Sequence, residues 1–325
     1  MSLTPNVEAL VEERRRTSVG RRESALVPQA MDLGEFLSKE FPPRRWIVPG
    51  LLQERDIAMV HSFRGVGKTY FAHGLAFAVA SAGSFLRYEA PQEARGVLIV
   101  DGEMPREDLQ KRFLELVATA EDEVQAPFRI LAADMNQERL PSLATAEGQS
   151  IVEANLEGVS FIVVDNISTL CSHGNENEAD NWEPLQAWLL SLRRQGYTVL
   201  LVHHDGKGGS QRGTSKKEDA LSQVIQLRRP ADYDPTSGAK FEVHLTKARG
   251  VHGAAAEPFE AELLSDENGR SQWAWRPLED AKKRQVLNIW QDGVTVQRDI
   301  ARELGIGLGT VNRKLKELRE EGKIT

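Results

Sequence analysis

Short apolar runs alternate with longer amphipathic stretches through the middle of the chain. Four runs rich in Val, Ile and Leu predict strands, at residues 57–60, 96–101, 161–165 and 198–202. Helical stretches follow the first three strands: one after Lys68, one through 113–117 and one through 182–194. Continuous apolar strands that alternate with helices are typical of a parallel sheet covered by helices on both faces. The pattern therefore predicts an α/β fold.

The pattern changes character after residue 221. Residues 223–227 and 241–245 alternate polar and apolar positions, and a turn-rich segment at 232–238 separates them. A further strand is expected around residues 273–275. Strands that alternate in this way are typical of antiparallel pairing, so we expect residues 223–227 and 241–245 at the edge of the sheet as antiparallel additions.

Residues 281–325 carry three apolar stripes at helical spacing. The stripes consist of Val286, Leu287 and Trp290, then Ile300, Ala301 and Leu304, then Val311, Leu315 and Leu318. A tight turn at 305–307 separates the second helix from the third, and Thr295 is expected to cap the second. This order of elements predicts a helix-turn-helix module.

Burial of the third stripe leaves a polar face on the last helix. In a helix-turn-helix module this face enters a major groove of DNA. Its candidate DNA-binding residues are Thr310, Asn312, Arg313 and Lys316, with Lys314 as a further candidate for a phosphate contact. Residues 320–325 resemble the start of a wing. The alternative interpretation is a small helical bundle that contacts protein.

The charge of the chain is unevenly distributed. The net formal charge of -7 argues against a protein that coats nucleic acid by charge alone. Residues 281–325 hold ten Lys and Arg against six Asp and Glu, so they carry +4 and the rest carries -11. We expect a flexible arm at 1–30, an α/β domain at 31–278 and a DNA-binding domain at 279–325. One cysteine and no apolar run of the ~20 residues that span a bilayer predict a cytoplasmic protein.

A candidate phosphate-binding loop follows the first strand and opens the first helix. It consists of Ser62, Phe63, Arg64, Gly65, Val66, Gly67, Lys68 and Thr69. Gly65 and Gly67 let the backbone turn its N–H groups toward phosphates, and the helix N-terminus adds partial positive charge. Lys68 is predicted to contact the terminal phosphates of ATP, and Thr69 to bind Mg²⁺. Ser62 stands where the usual pattern has Gly, which leaves open a degenerate site that binds without hydrolysis.

Two acids that follow apolar strands are candidates for the chemistry. Asp165 ends the strand at 161–165 and is predicted to hold Mg²⁺. Hydrolysis also needs a general base that polarises the attacking water, and Asn166 cannot be that base. In RecA-like P-loop ATPases the catalytic Glu follows the preceding strand, where this chain has Glu103. We predict Glu103 as the base, with Asp101 as a competitor that we expect to point elsewhere.

Two histidines, His203 and His204, follow the strand at 198–202. A polar residue at this strand tip can hydrogen-bond the terminal phosphate, so one of the two is predicted to sense it. The alternative is a pair of packed histidines. Metal binding by this pair is not expected, because no Cys and His set with ligand spacing lies nearby.

Residues 45–250 together resemble the RecA/DnaB-type hexameric ATPases, and most closely the RepA-like replicative helicases of plasmids. The likeness rests on segments 45–51 and 199–208, on Ser62, and on segment 211–215 with Asp219. The resemblance implies a ring, with a hexamer favoured, and ATP bound between neighbouring subunits. It also implies that Lys247 and Arg249 reach a neighbour's phosphates, where a guanidinium stabilises the transferring phosphoryl group. A solvated edge strand is the alternative for this pair.

The same resemblance implies a basic, Gly-rich loop that faces the channel of the ring. Its basic residues are Lys207, Arg212, Lys216 and Lys217, which suit the backbone of single-stranded DNA, although the loop has no aromatic residue for base stacking. The expected function is ATP hydrolysis with Mg²⁺ by a ring-forming replicative DNA helicase or translocase of a plasmid, phage or integrative element. The alternative is an ATP-switched DNA-binding regulator, or an accessory loader without unwinding activity.

Overall fold

The structure is a computed structural model of the 325-residue chain. The residues that it describes are 30–136, 140–171, 178–205, 219–234, 238–265 and 271–324. The chain divides into two compact units, Met1–Pro43 and Arg44–Thr325. The described part of the first unit contains a short helix, α1 (Leu33–Ser38), whose side chains Leu33, Phe36 and Leu37 are exposed.

The second unit is built on a large, mostly parallel sheet. Its strands are β1 (Trp46–Val48), β2 (Leu52–Gln53), β3 (Ile57–Ser62), β4 (Gly96–Asp101), β5 (Phe128–Ala132), β6 (Val159–Asp165), β7 (Thr198–His204), β8 (Gln223–Arg228), β9 (Lys240–Ala248), β10 (Phe259–Ser265) and β11 (Ser271–Pro277). In the described part of the chain, nine of them form one sheet in the order β11-β10-β9-β8-β3-β7-β6-β4-β5. Pairing is parallel from β8 to β5 and antiparallel from β8 through β9 and β10 to β11. The short strands β1 and β2 pair with each other.

Helices cover both faces of the sheet. The described helices of the second unit are α2 (Lys68–Ser81), α3 (Arg106–Thr119), α4 (Ala146–Glu153), α5 (Ile167–Leu170), α6 (Glu178–Gln195), α7 (Leu278–Gln291), α8 (Gln297–Leu304) and α9 (Leu308–Glu320). Val60 of β3 packs in one apolar core with Leu75 of α2, and the next residue back, Met59, packs in a second core with Leu189 of α6. The predicted α/β fold with helices on both faces is confirmed. None of the described helices has both the length and the apolar character needed to cross a membrane.

One expectation about the sheet edge is wrong. Residues 223–227 were expected to be antiparallel, but β8 pairs parallel with β3, with Ala58 opposite Gln223 and His61 opposite Gln226. The antiparallel extension starts one strand later, at β9. Strand β8 lies directly beside the central strand and is buried along most of its length, so its polar alternation did not indicate an edge position.

The last three helices pack around a small core of their own. Its buried residues are Val286, Ile300, Leu304, Val311, Leu315, Leu318 and Ile324. Gly305, with a φ of +61°, ends α8 in the left-handed conformation. The expected cap by Thr295 is wrong, because α8 begins at Gln297 and Val296 precedes it without a side-chain cap. Strand β11 ends at Pro277 and α7 begins at the next residue, so no linker separates the sheet from this module.

Candidate functional site

The loop between β3 and α2 is the centre of the candidate site. Gly65 has a φ of +73° and Gly67 a φ of +127°, conformations that residues with a Cβ atom rarely adopt. The ring of Phe241 in β9 lies directly behind Gly67, where an added Cβ would stand 2.8 Å from the ring carbon Cε1. Val66 is buried in the core, whereas Phe63 is half exposed. The loop therefore packs against the core through Gly67 and Val66, and its Phe63 side chain reaches solvent.

Lys68 is buried at the N-terminus of α2. Its ammonium donates hydrogen bonds to the carbonyl oxygen of Ser62 at 3.1 Å, to the Ser62 hydroxyl at 3.2 Å and to the carbonyl of Phe63 at 3.0 Å. None of these hydrogen-bond partners carries a charge. Burial lowers the pKa of Lys68 to about 8, although the nearby carboxylates, Asp165 first, oppose the shift. An anionic ligand at this point would therefore neutralise a poorly solvated positive charge.

Two carboxylates lie side by side beneath the loop. Asp101 ends β4 and Asp165 ends β6, and the two stand opposite each other in the parallel register. Thr69 donates a hydrogen bond to Asp165. Burial raises the pKa of Asp165 to about 7, and the neighbouring charges of Asp101 and Glu103 add to the shift. A hydroxyl and a carboxylate in contact beside an anion site form the oxygen donor set that suits Mg²⁺.

The expectation that Asp101 points away from the site is wrong. Asp101 lines the same cavity as Lys68. Its Oδ1 accepts hydrogen bonds from the backbone N–H groups of Glu103 at 3.0 Å and Met104 at 2.8 Å. Burial raises the pKa of this carboxyl group. Asp101 thereby holds the turn that carries Glu103.

Glu103 belongs to a polar cluster formed by three separate strand ends. Its Oε2 lies 3.3 Å from Nε2 of His204 and accepts a hydrogen bond from Nδ2 of Asn166. The same Asn166 nitrogen is 3.1 Å from His204 Nε2. Burial lowers the pKa of His204, with the charge of Lys68 as the second cause. The sequence indicated Glu103 and His204, but it gave Asn166 no part beyond excluding it as a base.

His203 and His204 face opposite sides of β7, as successive strand residues do. His204 lines the cavity beside Glu103, whereas His203 is buried and is not among the residues that line it. Of the two candidate sensors, only His204 is therefore placed to meet a phosphate in the cavity.

One cavity of about 650 Å³ is lined by six of these groups: Lys68, Thr69, Asp101, Glu103, Asp165 and His204. From the phosphate-binding loop the cavity continues along one face of α3, whose lining residues are Asp108, Lys111, Arg112 and Glu115. The guanidinium of Arg112 lies 4.1 Å from the ring centroid of Tyr70. On the other side the wall is made by Tyr233, Gly238 and Ala239. The cavity thus has one end at the Lys68 ammonium and an extension lined by aromatic and polar groups.

Lys247 and Arg249 lie far from this cavity. Ala248 stands opposite Gln223, and Gln223 stands opposite Ala58 near the start of β3, whereas the loop follows the end of β3. Four residues of strand separate these levels, which is about 13 Å. Arg249 is exposed, and its Nη2 lies 3.3 Å from the carbonyl oxygen of Asp219. The pair is therefore not part of the cavity in its own chain.

The candidate DNA-contacting residues have different degrees of exposure. Asn312, Arg313 and Lys316 are exposed and Thr310 is partly buried. Lys314 is buried, and its ammonium lies 2.9 Å from a carboxylate oxygen of Glu279 and 3.0 Å from one of Glu317. The expectation of a phosphate contact by Lys314 is wrong, because its charge is used inside the module. The other basic candidates, Lys207, Arg212, Lys216 and Lys217, lie outside the described residues.

Residues 229–234, which we name the connecting segment, follow β8 and contact the phosphate-binding loop. The Nη2 of Arg229 donates a hydrogen bond to the carbonyl oxygen of Gly65 at 3.3 Å. The guanidinium of Arg229 also lies 4.7 Å from the ring centroid of Tyr233, which lines the cavity. The ligand cavity therefore touches this segment directly.

The connecting segment also contacts the helix-turn-helix module. Oδ1 of Asp232 accepts a hydrogen bond from Nε2 of Gln285 in α7 at 2.9 Å. Its other oxygen, Oδ2, accepts one from the ammonium of Lys240 at 2.9 Å. Both donors are buried, Gln285 with 3% and Lys240 with 5% of its surface exposed. One aspartate thus joins the cavity wall to the first helix of the C-terminal module.

The sheet, the phosphate-binding loop and the paired acids are those of a P-loop ATPase domain, and α7–α9 form a separate three-helix module after it. Residues 22–210, more than half of the chain, match the family model of the AAA domain, and the chain belongs to this family. Residues 279–325 match the model of the winged helix-turn-helix DNA-binding domain. The chain is also similar to the KaiC-like protein PH0186 from the hyperthermophilic archaeon Pyrococcus horikoshii OT3, at 16% identity and a TM-score of 0.49 over 73% of this chain and 100% of that chain. No curated protein matches the chain.

Proposed function

We propose that this protein binds ATP with Mg²⁺ in the 650 Å³ cavity, hydrolyses it, and couples the nucleotide state to DNA binding by α7–α9. The observation that carries the first part is the buried ammonium of Lys68, whose hydrogen-bond partners are all neutral. The triphosphate of ATP would supply the charged hydrogen-bond acceptors that this ammonium lacks. Backbone N–H groups of the loop and the N-terminus of α2 add to the attraction.

The residues at the floor of the cavity fit a magnesium ion. Thr69 and Asp165 would hold it, and the hydrogen bond between them already sets their oxygens side by side. Mg²⁺, when bound, neutralises charge on the β- and γ-phosphates. Burial raises the pKa of Asp165, so a cation at this point would also stabilise its ionised form.

We propose Glu103 as the general base. Its carboxylate accepts the proton of the water that attacks the γ-phosphate. Asn166 and His204 both contact Oε2, which fixes the direction of the carboxylate at the mouth of the cavity. When a γ-phosphate enters, His204 can exchange its contact with Glu103 for one with a phosphate oxygen. His204 would then report the presence of ATP at the end of β7.

A ring-forming replicative helicase or translocase of a plasmid, phage or integrative element is our finer hypothesis. The position of Lys247 and Arg249 supports it, because residues about 13 Å below their own loop act on phosphates only in another copy. A hexameric ring places such residues against a neighbour's nucleotide. Exchange of ATP for ADP in one copy then changes its contact with the next.

An ATP-switched DNA-binding regulator, or a loader without unwinding activity, is the second candidate. The connecting segment favours it, because Asp232 links the cavity wall to Gln285 in α7. Such a link serves a switch in which bound nucleotide changes the affinity of the C-terminal module for duplex DNA. A motor that only threads single strands does not need it.

ATP turnover of the whole protein tests these proposals. It is measured without DNA, with single-stranded DNA and with duplex DNA, for the natural chain and for Lys68→Ala. Undiminished turnover in Lys68→Ala would overturn the site. Strong stimulation by single strands supports the translocase, and a response confined to duplex DNA of particular sequence supports the regulator.

A mixed-subunit assay tests the action of Arg249 on a neighbour. Arg249→Ala is expected to retain ATP binding and lose turnover. Addition of Lys68→Ala subunits, which keep Arg249 but have a defective loop, should restore turnover at the intact loops of the Arg249→Ala copies. Absence of any restoration would contradict action between subunits.

A further inference from the structure

Three buried side chains from three elements meet beneath the phosphate-binding loop. His73 lies in α2 and is fully buried, while Asp101 and Asp165 at the ends of β4 and β6 expose 1% and 3% of their surface. One ring nitrogen of His73 and one carboxylate oxygen of each aspartate all lie within 4.8 Å of one another. The proposed nucleotide chemistry has no use for His73.

The hydrogen-bonding capacity of this cluster is unsatisfied. Among the described residues, neither ring nitrogen of His73 has a hydrogen-bond partner, and the same holds for Oδ2 of Asp101 and Oδ2 of Asp165. The His73 ring is instead held by the ring of Phe113, stacked at 4.7 Å between centroids. Buried polar atoms are almost always paired, so four unpaired atoms in one cluster point to a bound group.

The chemistry of the cluster selects a cation. Two carboxylates repel each other and are poorly solvated, and a positive ion between them removes both penalties. Both ring nitrogens of the buried His73 lack a hydrogen-bond partner among the described residues, so either can act as a ligand. One imidazole and two carboxylates suit Mn²⁺, Co²⁺ or Zn²⁺, whereas Mg²⁺ prefers oxygen ligands alone.

The spacing of the cluster is close to that of a metal site. Metal–ligand bonds of about 2.1 Å place ligand atoms up to about 4.2 Å apart. The ligand atoms lie within 4.8 Å of one another, so the side chains need to move together by at most about half an ångström around the ion. Aspartate side chains at strand ends can make this movement by a small rotation.

We propose that His73, Asp101 and Asp165 bind a divalent transition-metal ion in the absence of nucleotide. This ion is distinct from the Mg²⁺ that accompanies ATP. The inference rests on the proposed function at one point, because Asp165 belongs to both sites. Through this shared carboxylate the inner ion fixes the orientation of Asp165 before ATP arrives.

The test is a titration of the full-length protein with MnCl₂ after removal of metals and nucleotide. Free Mn²⁺ gives a six-line electron paramagnetic resonance signal, which is lost when the ion binds. We expect one Mn²⁺ per chain with millimolar Mg²⁺ present, and hyperfine coupling from an imidazole nitrogen. His73→Leu and Asp101→Asn should each weaken this binding about tenfold or more.

Two further variants make the outcome specific. His244→Leu removes a histidine that pairs with Glu242 in β9 and should leave Mn²⁺ binding unchanged. Lys68→Ala should lose ATP binding and keep Mn²⁺ binding, so failure of the ATP site and failure of the metal site are seen separately. The proposal would be overturned if the natural chain bound no Mn²⁺ without nucleotide. It would also be overturned if His73→Leu and Asp101→Asn bound Mn²⁺ as tightly as the natural chain does, and a bridging water would then be the better account of the cluster.

Discussion

The charge of Lys68 should lower the free energy of unfolding of the ligand-free protein. The shift of its pKa from 10.5 to about 8 means that the charged form costs about 3 kcal/mol in the folded, ligand-free protein. Lys68→Met keeps the apolar part of the side chain and removes the charge. It also removes hydrogen bonds to Ser62 and Phe63 that contribute about 1–2 kcal/mol in total. We therefore expect Lys68→Met to raise the free energy of unfolding by about 1–2 kcal/mol at pH 7, or the Tm by about 2–3 °C.

The advantage of Lys68→Met should shrink as the pH rises. The unfolded chain keeps this lysine protonated up to about pH 10.5, whereas the folded chain releases the proton near pH 8. Between these values the unfolded state binds more protons, so the stability of the natural protein rises with pH relative to the variant. Below pH 8 the full cost of the charge is present.

Urea denaturation of the nucleotide-free protein in EDTA, at pH 7 and again at pH 9.5, measures this difference. Lys111→Met is the matched control, because Lys111 lines the same cavity but has 77% of its side chain exposed. The control should change the free energy of unfolding by less than about 0.5 kcal/mol. A Lys68→Met protein that is less stable than the natural one, or a difference that does not vary with pH, would refute the reasoning.

Three further predictions concern separate parts of the molecule. Glu103→Gln should lower ATP turnover by about 10²–10⁴-fold while a fluorescent ATP analogue still binds, and an unchanged rate would exclude Glu103 as the base. Leu315→Ala removes a fully buried side chain from the C-terminal core and should destabilise that module by about 2–5 kcal/mol in calorimetry, with loss of duplex binding but not of DNA-independent turnover. Asp232→Asn should reduce the difference in duplex affinity between the ATP-bound and ATP-free protein, and a fluorescence anisotropy titration that finds the difference intact would remove the connecting segment from the coupling.

The parts of the fold that follow from local pattern were predicted from the sequence. Buried parallel strands need long apolar runs, and the phosphate-binding loop needs glycine at fixed positions, so β3, β4, β6 and β7 were all indicated. The ends of these strands gave Glu103, Asp165 and His204 as candidates. Their roles remain predictions, but the structure brings all three into one cavity.

The parts that depend on pairing between distant segments were not predictable in this way. Asn166 meets Glu103 only because β4 and β6 are neighbours in the sheet. The direction of β8 depends on its place beside β3, which polar alternation does not encode. Lys314 points inward because Glu279, from another helix, pairs with it there. In each case the missing information is the identity of the spatial neighbour.

The direct passage from β11 into α7 has a consequence for how the protein meets DNA. A module on a flexible linker samples many orientations and tolerates binding sites at many separations. Here Pro277 and Leu278 join the sheet to the module without a linker, so α9, whose polar face we expect to meet DNA, cannot reorient independently of the ATPase domain. In an assembly of several copies, the contacts between ATPase domains would then set the distance between the α9 helices. In such an assembly, the spacing between ATPase domains rather than the helix-turn-helix module would determine the length of DNA between two bound sequences.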